Sequence, residues 1–227
     1  MKTCRALVRV SSFALGLTCL TIGAFAQVNM QLTGVGQGNV MAGVYTSPYT
    51  GTIDGTPTTI ICDDFADDSF LNESWLANVS TVASLGATKW GSNQQQYDAA
   101  AALSIQLLGT SNATQMGYIS YAIWDIFDNA GVQSWLGSSN PIYTTAYNMA
   151  QTALSQTYAA GSFSNVFVYT AIAGSAIGCG GAPCPVNSPQ EFLVVRTAEP
   201  SAQALFAVYL SSLVGLIFFF RKRVAAR

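Results

Sequence analysis

Four aspartates, Asp63, Asp64, Asp67 and Asp68, fall within six residues directly after Cys62. Calcium takes six to eight oxygen ligands, so this stretch offers carboxylates for a calcium site. The spacing is not that of an EF-hand, which needs a Gly at its turn and a Glu at its end. In an extended segment, side chains alternate sides, so half of these would point apart. The other reading, which this favours, is a solvated acidic turn. A second pair, Asp125 and Asp128, sits at helical spacing and offers two carboxylates for acid–base work on a glycan, with a solvated helix surface as the plainer reading. Cys179-Gly180-Gly181-Ala182-Pro183-Cys184 is a short, turn-rich loop that a local disulfide would close. The chain has no histidine. Ser-His-Asp and Cys-His catalysis and His-based zinc sites are therefore excluded by inventory. No cofactor is implied, and the chain reads as a non-enzyme.

Both ends read as targeting segments. Lys2, Arg5 and Arg9 precede an apolar stretch from Phe13 to Phe25, and Ala24-Phe25-Ala26 has the small-x-small form of a cleavage site. Residues 1–26 are expected to be a signal peptide, leaving Gln27 first. At the other end Glu199-Pro200-Ser201 precedes an apolar run from Ala202 to Phe220, followed by Arg221-Lys222-Arg223. At about 1.5 Å per residue that run gives roughly 28 Å of helix, close to a bilayer core. Residues 202–220 are expected to span the inner membrane, with the basic cluster acting as stop-transfer on the cytoplasmic side.

Between them, residues 27–198 are expected to form one exported ectodomain. Only Lys89 and Arg196 are basic there, against ten acids, a net charge of about −8 by direct count. Nucleic-acid binding needs clustered Lys and Arg, and none are present. With Cys4 and Cys19 in the leader, Cys62 is left as the odd thiol.

The local pattern predicts an α+β domain: a β-rich sheet or sandwich with a three-helix insert. Residues 28–65 are rich in β-branched residues and broken by turns, Asp54-Gly55 being a hairpin signal. Residues 92–159 carry three helix signals. Ser92 with Gln95 caps a helix ending at Gly109, and Asn112 with Gln115 caps a second. The latter's stripe is Met116, Ile119, Ile123, Ile126 and Phe127. Asn140-Pro141 opens a third, running to about Tyr158. Strand character returns over residues 163–197, with Phe192, Val194 and Arg196 facing opposite to Leu193, Val195 and Thr197.

The C-terminal cassette resembles the PEP-CTERM sorting signal of Gram-negative bacteria, over about residues 197–227, with Ala198 where the family's first Pro stands. The resemblance implies recognition of Glu199, Pro200 and Ser201 by an exosortase-type enzyme and an association with exopolysaccharide. A second resemblance lies in Ile60-Ile61-Cys62-Asp63-Asp64-Phe65 and Tyr121-Ala122-Ile123-Trp124-Asp125-Ile126-Phe127, which look like paired motifs of PEP-CTERM ectodomains and, distantly, of thioester adhesin domains. Those adhesins join a Cys to a Gln in Thr-Gln-x-Ala-Ile-Trp and capture an amine. Here Ser120 stands at the Gln position, while Thr114-Gln115 lies nearly two and a half turns upstream, about 13 Å from Trp124's level. A Cys62–Gln115 thioester would need a register change; otherwise Cys62 is a buried small residue and Trp124, Ile123 and Phe127 are core.

The expectation is thus an exported, membrane-anchored surface protein, held with its ectodomain outside the cytoplasm or released to the surface or matrix after processing. Its role would be structural or adhesive at the envelope or exopolysaccharide matrix. The alternatives are an amine-coupling thioester adhesin and a carboxylate-based glycan hydrolase.

Overall fold

The computed structural model describes residues 27–36, 39–179, 183–185 and 189–196. The leader, the sorting motif Glu199, Pro200 and Ser201, the span over 202–220 and the cluster Arg221, Lys222 and Arg223 lie outside the described residues. Among the described residues no helix is long and apolar enough to cross a membrane.

The described residues form an α+β fold, with six antiparallel strands closing into a barrel and three helices. The strands are β1 (Gln27–Gly34), β4 (Tyr49–Ile53), β5 (Thr56–Cys62), β6 (Ser74–Thr81), β7 (Val166–Ala171) and β8 (Phe192–Val195); their order around the barrel is β1-β4-β5-β8-β7-β6. A separate hairpin pairs β2 (Val40–Met41) with β3 (Val44–Tyr45). The Asp54-Gly55 turn joins β4 to β5 with φ of 48° and 78°, the double positive φ that a tight two-residue hairpin requires. Closure removes the free edges of an open sheet or sandwich, which is where the structure departs from the sequence expectation. It does so with a strand that the sequence reading passed over, β6. Its signal was the alternation of Trp75, Ala77 and Val79, diluted by Leu76 on the outward face.

The registers place Met30 opposite both Ile53 and Trp75, Tyr49 opposite Ile60, and Phe192 opposite Tyr169. These residues fill the barrel. Phe192 stacks on Trp75 at 5.7 Å and meets Tyr49 edge-on at 6.4 Å. On the alternate face, Ile61 pairs across to Leu193, and Leu193 to Val168; all three are fully buried. The barrel is covered on that side because the helices inserted between β6 and β7 lie over it, α1 packing on β8. This is why Phe192, Leu193 and Val194 are buried in succession, whereas a strand with one wet face would alternate.

The helices are α1 (Gln94–Leu108), α2 (Ala113–Leu136) and α3 (Pro141–Leu154). Asn93 caps α1 by accepting from Gln96 N, one residue later than the expected Ser92 box. Asn112 caps α2 by accepting from Gln115 N at 3.0 Å, and Asn140 caps α3 with Pro141 in its first turn, both as expected. The end of α3 comes earlier than Tyr158. That side chain instead turns back, donating its hydroxyl to Ala153 O at 3.0 Å and packing edge-on against Phe163. Helix α2 is kinked at Asp128, whose φ of −135° and ψ of 65° leave the helix. Asp128 Oδ1 accepts from Gly131 N at 2.9 Å and so caps the last turns of α2 from within.

Trp75→Ala is expected to lower unfolding free energy by about 3–5 kcal/mol, because the large cavity is ringed by strands that cannot collapse. Asn112→Ala is expected to lower it by about 1 kcal/mol. Urea unfolding of the two variants, read as midpoint shifts, checks the ratio.

Candidate functional site

The residues that drew attention in sequence converge where β5 ends, β8 begins and the helices cover the barrel. Cys62 is fully buried and every polar atom it has is engaged. Its N–H donates to Ser47 Oγ at 3.1 Å, its carbonyl accepts from Trp124 Nε1 at 3.0 Å, and its thiol donates to Asp64 O at 3.1 Å. Asp64 N in turn donates to the sulfur at 3.4 Å. Burial first, then the charge of Asp64, pushes the thiol well above its ordinary range. A thiol held this way is not a nucleophile. Phe65, Tyr121 and Trp124 close over it, with ring centres 5.0 to 6.1 Å apart. Ile123 and Trp124 are buried and Phe127 is packed against the core, as expected for a stripe.

The acidic stretch is not a solvated turn. Asp63 and Asp64 are both fully buried, and only the later members of the stretch approach solvent. The chain must leave the end of β5 beneath the helices, which carries both side chains inside. Lys89 compensates one of them. Its ammonium lies 2.5 Å from Asp64 Oδ2 and 2.6 Å from Asp67 Oδ2. Asp64 Oδ1 accepts from Ala66 N and Asp67 N, and Oδ2 also from Glu191 N at 3.3 Å. Burial dominates at Asp64 and raises its pKa; the Lys89 ammonium offsets part of that, and its own pKa is raised by the two carboxylates.

Asp63 faces another acid. Its neighbour is Glu191, one residue before β8, and the two carboxyls are pushed up by burial together, Asp63 further by the charges of Glu191 and Asp64. Glu191 is the charged member because donors surround it. Tyr97 Oη donates to Oε1 at 2.6 Å, while Lys89 N at 2.8 Å and the Thr170 hydroxyl donate to Oε2. Neither oxygen of Asp63 has a donor, so it is the member that keeps its proton. One pair of acids thus carries one charge.

The remaining sequence candidates lie apart. Gln115 is exposed in the first turn of α2 with its Oε1 accepting from Thr110 Oγ1 at 3.0 Å, far along the helix from Trp124 and the buried Cys62. Ser120 is buried and returns its hydroxyl to Met116 O at 2.9 Å. Asp68 is exposed and does not join Asp64 and Asp67 at Lys89, so the four carboxylates of the stretch do not converge on a common point. Asp125 corrects the helix-surface expectation: it is buried, Oδ1 accepting from Asn129 Nδ2 at 2.7 Å and Oδ2 lacking a donor, and burial raises its pKa. With Asp128 turned into the kink, the two aspartates do not form a working pair. Cys179 and Cys184 are joined, 2.11 Å between sulfurs, and Glu73 Oε1 lies 3.1 Å from Cys179 Sγ.

Sequence reasoning missed Lys89, Glu191 and Tyr97, the groups that neutralise Asp63 and Asp64. Lys89 carried a signal, since it is the single basic residue between Gln27 and Val195. Glu191 and Tyr97 lie 128 and 34 residues from Asp63 in the chain and carried none. The chain matches no protein-family model, no curated protein and no solved structure. Its chemistry is therefore read from its own residues.

Two expectations follow. A carboxyl whose folded pKa is raised stabilises fully below its ordinary value, 3.8 for Asp63, Asp64 and Asp125 and 4.5 for Glu191, and that contribution is lost as pH rises through the raised value. Lys89 behaves alike above its ordinary 10.5. The urea midpoint is expected to fall as pH rises from about 4 through neutrality, and again beyond about 10.5; Asp63→Asn flattens the first slope. Lys89→Met is expected to lose about 3 kcal/mol by leaving Asp64 unpaired, and Asp64→Asn in the same chain recovers most of it. Unfolding curves of both single variants and the double variant check this.

Proposed function

We propose that this chain is an exported, envelope-held surface protein with a structural or adhesive role in an exopolysaccharide matrix, delivered by its PEP-CTERM-like C-terminal signal. Its chemistry-bearing residues favour a non-enzymatic role: the thiol is sequestered, the acids of the barrel–helix junction are satisfied from within, and no histidine is present.

One observation carries the display geometry. Val28, at the start of β1, and Arg196, the last described residue after β8, line the same cavity at one end of the barrel. The chain therefore enters and leaves the domain at that end, and a tether following residue 196 holds the opposite end, where β5 ends and β8 begins, outward. A disulfide at Cys179–Cys184 suits the oxidising side of a membrane.

The test is the intact mass and location of the protein in a Gram-negative cell with an exosortase-type enzyme. Wild type is expected to lose residues 1–26 and part or all of 199–227, to keep one disulfide, and to retain the full mass at Cys62 and Gln115. Replacing Glu199 and Pro200 by Ala is expected to leave a full-length tail in the inner membrane. Unchanged processing of that variant would sink the sorting reading, and loss of one ammonia with methylamine uptake would favour the thioester adhesin.

A further inference from the structure

The end of the barrel at which the chain enters and leaves is open. Strands β5 and β8 pair at Ile61–Leu193 and Cys62–Phe192, then diverge, so that Thr56 to Ile60 has no partner on β8. Between them and the barrel mouth lies a cavity of about 850 Å³. Thr56 and Thr58 reach it from the inward face of β5, and Phe167 and Arg196 from β7 and the end of β8. A space of this size holds about two or three sugar rings, within the range of ordinary ligand sites.

Arg196 is fixed there. Its guanidinium lies 4.3 Å over the Phe167 ring, and Nη2 donates to Tyr169 Oη at 2.6 Å. The Arg196 N–H donates to Asn165 O at 2.9 Å, and Asn165 Nδ2 donates back to the Arg196 carbonyl at 3.0 Å. No carboxylate of a described residue lies within ion-pair distance of it, whereas Lys89, the other cation of the domain, holds two. The guanidinium has five N–H donors and gives one to Tyr169, so a planar fork is left for an anion. Asp54 also lines the cavity, but its Oδ1 accepts from Asn29 N at 2.9 Å and it forms no ion pair with the guanidinium. In a domain this acidic, an oriented cation held without an ion-pair partner among the described residues is a recognition element.

The walls select among anions. The hydroxyls of Thr56, Thr58 and Ser164 and the amide of Asn165 suit a ligand covered in hydroxyls. The open edge of β5 does not suit an added peptide strand, because Pro57 sits on it without an N–H. Building on the proposed matrix role, we infer that the barrel mouth binds a carboxylated saccharide, a uronate residue whose carboxylate is forked by Arg196 and whose ring hydroxyls meet the threonine and asparagine wall.

The test is calorimetric titration of the full chain in detergent with a trigalacturonate, its neutral trisaccharide counterpart and an acidic peptide of equal charge. Trigalacturonate is expected to bind about tenfold or more tighter than either control. Arg196→Met should lose that margin and Arg196→Lys should keep part of it, with circular dichroism showing both variants folded at the titration temperature. Thr58→Val, which leaves the cation in place, should weaken the uronate without abolishing its preference over the neutral sugar. Equal binding of the neutral sugar, preference for the peptide, no saccharide binding, or an unaffected Arg196→Met would each overturn the inference. Co-sedimentation of the wild-type protein with native matrix polysaccharide is scored separately: retention there without uronate binding defeats this site alone, and no retention defeats the matrix role.

Discussion

The fold depends on how two buried acids are neutralised where the barrel meets the helices. Asp63 and Asp64 leave β5 beneath the helical layer with no access to water, and an unpaired charge there would destabilise the domain more than any single packing contact could offset. Two solutions sit side by side. Asp64 is matched by the Lys89 ammonium, and Asp63 stays protonated beside a Glu191 saturated with donors from Tyr97, Thr170 and the Lys89 backbone. The network joins β5, β8, β7, α1 and the loop before α1, elements far apart in the chain. Removing any one group exposes the others to the same penalty, so barrel and helices are fixed to each other through polar groups as well as through the aromatic core around Trp124.

The same network limits the chemistry. Raised carboxyl pKa values and a buried thiol are features of active sites, yet here donor and acceptor are both internal, and the strongest perturbations come from burial. At the opposite end, where the chain enters and leaves, the strands part and a single arginine is held by Tyr169 without an ion-pair partner among the described residues. The two ends of the barrel thus divide the labour. One end holds the structure together, and the other carries the features of a binding surface.

How much of this was legible depended on sequence distance. The helices were readable because capping is local: Asn112, Asn140 and Pro141 announce their helices within three residues, and the Asp54-Gly55 turn marks its reversal through backbone φ alone. Closure of the barrel was not, because it rests on β6 pairing with both β1 and β7 and on β5 meeting β8 across some 130 residues of chain. Alternation marks a strand but not its neighbours. The acidic stretch was misread for the same reason. Charge in sequence argues for solvent, and only the fold shows that Lys89 and Glu191 arrive to compensate it. The Cys179–Cys184 pair was legible because its loop is closed by the residues themselves.

Internal neutralisation of the buried acids shows most directly in the protonation state of Asp63 and Glu191. A carboxyl carbon titration by NMR of the folded chain, with side chains assigned by Asp63→Asn and Glu191→Gln, reads it site by site. Asp63 is expected to keep its proton through neutral pH while Glu191 and Asp64 are ionised beside their donors. If Asp63 and Glu191 both titrate near the ordinary carboxylate range, the pair is solvated, and the central claim that these acids are internally neutralised to hold barrel and helices together is contradicted.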